Sequence, residues 1–171
     1  MAEKLIKFIE IAEFRKVLLA EKDKRFKLAY ALGFGSGLRI SEVIGYLDKI
    51  KPLTKDKINL ENHSIRVYGK GGKERIVPTS KWLNKTNIQL LPLNIFRRTL
   101  QRRFTELCKK VLEKELSFHT LRHGFANHLA NVKNTPLPIV QQMLGHSRLS
   151  TTGIYTKSNP LKDVGMVWEN F

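Results

Sequence analysis

The fold class this sequence predicts is mainly α-helical with one small three-stranded antiparallel sheet, an α+β domain. Three observations predict it. Apolar residues recur at helical spacing through the first part of the chain, roughly Ile11 to Leu47. Between Lys57 and Thr79 the period changes to two. Helical spacing then resumes in LNIFRRTLQRRFTELCKKVLEKEL and HTLRHGFANHLAN.

Each element has a local reason. EFRKVLLAEKD is the first helix candidate, and RFKLAYALGFGSG is a second, apolar on one face and closed by glycines. Gly35-Ser36-Gly37 breaks the chain, and LRISEVIGYL starts a third helix with Arg39 and Ser41-Glu42 in its first turn. Ile58 and Leu60 suggest a short strand. Ile65 and Val67 alternate with polar neighbours in the next, and Arg75-Ile76-Val77 form a third that Pro78 ends. Glu61-Asn62-His63 and Gly69-Lys70-Gly71-Gly72 supply the turns. Pro136 and Pro138 open a last helix, PIVQQMLG, that Gly145 closes. The tail at 157–171 reads as a short amphipathic C-terminal helix with Val164, Val167, Trp168 and Phe171 on its apolar side.

The whole chain, 1–171, fits one domain with its own core. Its apolar share of 42% is ordinary, but 31 Lys and Arg against 15 Asp and Glu leave a net charge of +16. A field of that sign draws polyanions, with nucleic acid the leading partner and an anionic membrane surface the second. A single cysteine, Cys108, excludes an internal disulfide framework and a Cys-rich zinc site, and its helical setting makes it a buried structural thiol. No apolar run reaches membrane-spanning length and no signal peptide opens the chain, so the expected location is cytoplasmic. The sequence has no P-loop and no carboxylate cluster suited to Mg²⁺, so no metal and no cofactor is expected.

Phosphate-binding side chains gather at the ends of elements. Arg39 follows a glycine break, Lys70 and Lys73 sit on a hairpin turn, and His119 and Arg122 share one helical face. His146 and Tyr155 lie in LGHSRLSTTGIYT, a polar loop or helix start that presents a tyrosine. Arginine forks bind non-bridging phosphate oxygens in pairs, and preorganised cations stabilise the charge of a pentavalent transition state. A tyrosine hydroxyl becomes a nucleophile once its proton is accepted, and a leaving alkoxide needs an acid such as Lys or His. His63 reads as a turn residue and His128 as a packed helix residue.

At GLRISEV, VYGKGGKERIVP, HTLRHGFANHLA and LGHSRLSTTGIYT the chain resembles the tyrosine recombinases, or phage integrases, and most of all their Xer-type members. The resemblance runs from about Ile11 to Tyr155 and is specific because the motifs occur in the family's order. It implies the family's catalytic-domain fold and site-specific, metal-free cleavage and rejoining of double-stranded DNA through a 3′-phosphotyrosine.

It also implies roles. Arg39 and Arg122 would clamp the scissile phosphate, and Lys70 would protonate the leaving 5′ oxygen. His119 would be the base or a phosphate ligand. His146 would hold a non-bridging oxygen, and Tyr155 would attack. Glu42 and His123 would support the catalytic groups, while Lys73, Arg75 and Arg148 are expected DNA contacts.

Family members carry a separate N-terminal core-binding domain. Nothing of that length precedes Ile11 in this sequence, so it reads without that domain, either as a catalytic domain cut from a longer protein or as a naturally short member. The implied assembly is a homotetramer on DNA, with a monomer possible for an isolated domain. The tail either covers its own core or docks into a neighbouring copy. Two other readings stand beside this one. A type IB topoisomerase would use related chemistry to relax supercoils, and a DNA-binding module would bind without cleaving.

Overall fold

The computed structural model describes residues 7–145, 163 and 164. Two helices, α1 (Ile11–Ala20) and α2 (Lys24–Gly35), come first among the described elements. Asp23 caps α2, its carboxylate accepting from the Arg25 amide at 2.9 Å. α3 (Ile40–Ile44) follows, then β1 (Ile58–Asn59), β2 (Ser64–Tyr68) and β3 (Glu74–Pro78). The strands form one antiparallel sheet in the order β1-β2-β3, with Val67 opposite Arg75 and Ile65 opposite Val77. α4 (Arg97–Leu112), α5 (His119–Asn127), a π-helical turn at His128–Val132 and α6 (Leu137–Leu144) complete the described elements.

The core lies between the helices and the inner face of the sheet. α4 turns Leu100, Phe104 and Cys108 inward at four-residue spacing, and all three are fully buried. Phe104 meets Tyr30 and Phe118 edge-on, with ring centroids 5.0 and 6.0 Å apart. α5 packs tightly on α2. A Cβ built on Gly124 would stand 2.4 Å from the Ile9 carbonyl oxygen and 2.8 Å from the Phe34 ring, so that approach requires glycine. Cys108 is buried as expected, and burial pushes its thiol up to about 12. His128 is buried near Phe34, and His63 takes a turn conformation with φ of 53°.

Several boundaries differ from the sequence expectation. The third helix is only five residues long, because Gly45 leaves it at φ 83° and Tyr46 bridges to Asp48 and Ile50. The first strand excludes Leu60. The long basic helix stops at Leu112, where Glu113 turns left-handed. α5 widens into the π turn instead of running on to Asn131 as an α-helix. Of the tail, Asp163 is half-buried and Val164 is fully buried, and the rest lies outside the described residues.

Candidate active site

Gly37 begins the site. Its φ is +64°, and a Cβ there would meet the Phe125 ring at 2.6 Å, so a side chain is excluded on two counts. The tight turn places Arg39 at the N-cap of α3 and brings Glu42 back beneath it. Glu42 Oε2 accepts the Arg39 backbone amide at 2.8 Å, and Oε1 accepts Arg39 Nη1 at 3.1 Å. The Arg39 side chain keeps 37% of its surface exposed, while the Glu42 side chain keeps 1%.

Arg75 closes on the same carboxylate from β3. Its Nη1 and Nη2 donate to Oε1 and Oε2 of Glu42 at 2.7 and 2.9 Å, a two-pronged pair. Its Nε donates to the Met143 carbonyl at 2.7 Å, at the end of α6. Arg122, buried on α5, donates Nη1 to the Gly37 carbonyl at 2.7 Å and Nη2 to the Leu144 carbonyl. The motif segments at Arg39, Arg75, Arg122 and the end of α6 thus converge around one buried carboxylate.

The electrostatics are lopsided. Arg39, Arg75 and Arg122 surround Glu42, which leaves two positive charges uncompensated by that carboxylate. Burial alone would push Glu42 up. The hydrogen bonds and charge of Arg75, with help from Arg39, outweigh it and hold the carboxyl below its usual range. Burial first, then the nearby Arg39 and Arg75, pull Arg122 down to about 9. A guanidinium so crowded gains from a bound anion.

His119 and His123 stand edge to face on α5, ring centroids 4.5 Å apart. Burial, the His123 ring and the charges of Arg122 and Arg39 lower the pKa of His119, and burial and Arg122 lower that of His123. Both shifts favour the neutral imidazole over the imidazolium. Lys70 begins the β2–β3 turn at Lys70–Gly72, where Gly71 and Gly72 both have positive φ and open space around them. Lys73 is exposed just after that turn. His146, Arg148 and Tyr155 lie outside the described residues, which reach α6 and its left-handed cap at Gly145.

Arg75 requires a correction. Expected as a DNA contact, it has a side chain only 9% exposed, and its guanidinium is committed to Glu42 and Met143. The signal was in the alternation. Arg75 pairs with Val67 and lies two residues before Val77, both buried, so the pleat directs it inward. The Met143 and Leu144 carbonyls were not legible as ligands, since backbone acceptors carry no sequence signature.

The model of the phage integrase family matches residues 2–162. The chain belongs to that family. Among curated relatives, tyrosine recombinase XerD of Shewanella oneidensis is 36% identical over 154 residues, covering 77% of this chain and 49% of the relative. Tyrosine recombinase XerC of Histophilus somni is 34% identical over 153 residues, covering 78% and 49%. The chain thus spans about half the length of these curated relatives. Among solved structures, XerA recombinase matches with a TM-score of 0.65 at 22% identity, over 96% of this chain and 64% of that one. XerH site-specific recombinase, bound to its palindromic difH substrate after cleavage, matches with a TM-score of 0.64 at 23% identity, over 85% and 48%. These likenesses establish the family's mainly helical fold with its three-stranded sheet. No helix among the described residues is long and apolar enough to cross a membrane.

Proposed function

We propose that this chain is the catalytic domain of a site-specific DNA recombinase that works without metal or cofactor. The observation that carries this reading is the convergence of Arg39 and Arg122, from distant segments, at a site with excess positive charge around Glu42. Family membership supplies the reaction class, and the XerH structure with DNA gives a related protein caught after cleavage.

In this reading the Tyr155 oxygen attacks the scissile phosphorus and gives up its proton to His119 or to solvent. Arg39 and Arg122 hold the non-bridging oxygens with His146, and charge building there in the transition state strengthens their hold. The bond to the 5′ oxygen breaks, and Lys70 donates the proton that oxygen needs. The 3′-phosphotyrosine retains the phosphodiester's energy, and a 5′ hydroxyl from another strand reverses the steps. His123 and Glu42 support His119 and Arg39. Lys73 and Arg148 contact DNA phosphates. The proposed partner is double-stranded DNA, the assembly a homotetramer on it, and the location cytoplasmic.

A nicked suicide duplex carrying candidate sites tests this directly. The expected result is a covalent protein–DNA adduct on a denaturing gel, formed in EDTA and absent from Tyr155→Phe. No adduct under conditions where the duplex is bound would overturn the cleavage reading. Plasmid relaxation without strand exchange would favour the type IB topoisomerase reading instead.

A further inference from the structure

The hydrogen bonds at Glu42 are shared unequally. A carboxylate offers about four lone-pair sites. Two are filled by the Arg75 fork, one by Arg39 Nη1 and one by the Arg39 backbone amide. The carboxylate is full. Among the three guanidinium contacts, the shorter two, 2.7 and 2.9 Å, belong to Arg75, and the 3.1 Å contact belongs to Arg39. Among the described residues that is the only hydrogen bond the Arg39 guanidinium makes.

Arg75 is itself well held. Its Nε is tied to the Met143 carbonyl, and the backbone crowds its stem: a Cβ on Gly145 would stand 3.1 Å from its Cδ. A Cβ on Gly69 would stand 3.7 Å from Nη1. Arg75 therefore occupies a slot between the hairpin and the end of α6, facing the carboxylate. Arg39 sits half-exposed on the other side.

We propose that Arg75 is a positioning residue that saturates Glu42 and thereby keeps the Arg39 guanidinium available to an anion. Without Arg75, the carboxylate would have two vacant lone pairs beside the nearest remaining guanidinium. Arg39 would then close on it as a two-pronged pair and withdraw from the site. Arg75 and Arg39 compete for one acid, and the buried one wins, leaving the exposed one for phosphate. The inference rests on the reading of Arg39 as a phosphate ligand, and its test does not need strand cleavage.

The test measures binding of inorganic phosphate, by ³¹P line broadening, to wild type, Arg75→Met, Arg75→Lys, Glu42→Gln and the double variant Arg75→Met/Glu42→Gln. Suicide-duplex adduct rates are taken in parallel. Arg75→Met is expected to weaken phosphate binding about tenfold, and the double variant to recover most of it, since no carboxylate then remains to capture Arg39. Arg75→Lys keeps the charge but offers a point donor in place of a fork, so it is expected to remain weakened by about fivefold. Glu42→Gln alone is expected to bind phosphate more tightly than wild type.

A merely structural role for Arg75 predicts that the double variant is no better than Arg75→Met. That result overturns the proposal. So does wild-type binding by Arg75→Lys, which would make net charge sufficient. So does wild type that binds no phosphate. If Arg75→Met does not fold, Arg75→Lys takes its place as the reference, and a double variant that binds phosphate no better than Arg75→Lys overturns the proposal. If the phosphate series behaves as expected while wild type forms no adduct, the competition stands and the cleavage reading fails. The reverse pattern, adducts without the phosphate series, sinks the competition alone.

Discussion

Protonation connects single residues to stability. Glu42 has a folded pKa held below its ordinary 4.5 by Arg75 and Arg39 against the cost of burial. Its contribution is present above that ordinary value and is lost as pH falls toward the lower folded one. His119, His123 and His128 are depressed below 6.5, in each case chiefly by burial. On acidification the unfolded chain takes up their protons first, so stability declines as pH drops below 6.5. Two steps of loss are expected, one set by the histidines and a second by the buried glutamates. Denaturant midpoints taken from about pH 8 down to about pH 2 would show them. A flat profile between pH 7.5 and 5.5, both rough bounds around the histidine reference value, would contradict the histidine assignment.

At the scale of elements, α1, α2 and α4 are joined by a second buried acid. Glu21, just past α1, accepts Arg103 Nη2 at 2.6 Å and Nε at 2.9 Å, and it accepts the Tyr30 hydroxyl at 3.2 Å. Arg103 also lies over the Phe26 ring, 4.4 Å from its centroid. Its side chain is 43% exposed, which weakens the pair through solvent screening, whereas Glu21 is 2% exposed. Arg103→Ala leaves that acid with only the Tyr30 hydroxyl and the Asp23 amide and is expected to cost about 1–3 kcal/mol in urea unfolding. Arg103→Ala together with Glu21→Gln should cost less than Arg103→Ala alone. Elements of this kind were largely legible. Helical spacing located α1, α2, α4, α5 and α6, and alternation located the strands to within a residue or two. Where reading failed, a backbone event intervened: the positive φ of Gly45 that cuts α3 short, and the π turn after Asn127. In the site, the motifs marked Arg39, Glu42 and Arg122. The inward pleat of β3 is legible in the two-residue spacing of Arg75 and Val77, and that pleat turns Arg75 toward Glu42.

For the molecule as a whole, charge and topology act at different ranges. The excess of 31 basic over 15 acidic residues sets up a field that gathers polyanions from a distance. It needs no particular fold and would survive in a partly unfolded chain. The cluster of arginines around Glu42 is another matter. Its ties join residues far apart in the chain: Arg122 to Gly37 across 85 positions, Arg75 to Met143 across 68, and Arg75 to Glu42 across 33. No short stretch holds enough of them to make the site. Each tie closes a long loop, whose entropic cost is met only when the surrounding helices and sheet have already come together. The site is thus a late product of folding and a sensor of its completion. In a titration with denaturant, phosphate binding and helical ellipticity should vanish in one shared transition. Binding that outlasted the ellipticity would mean that the loose cationic chain, and not the assembled pocket, holds the ion. A nascent or damaged copy would still draw polyanions by its charge, but it would lack the assembled cluster of arginines around Glu42.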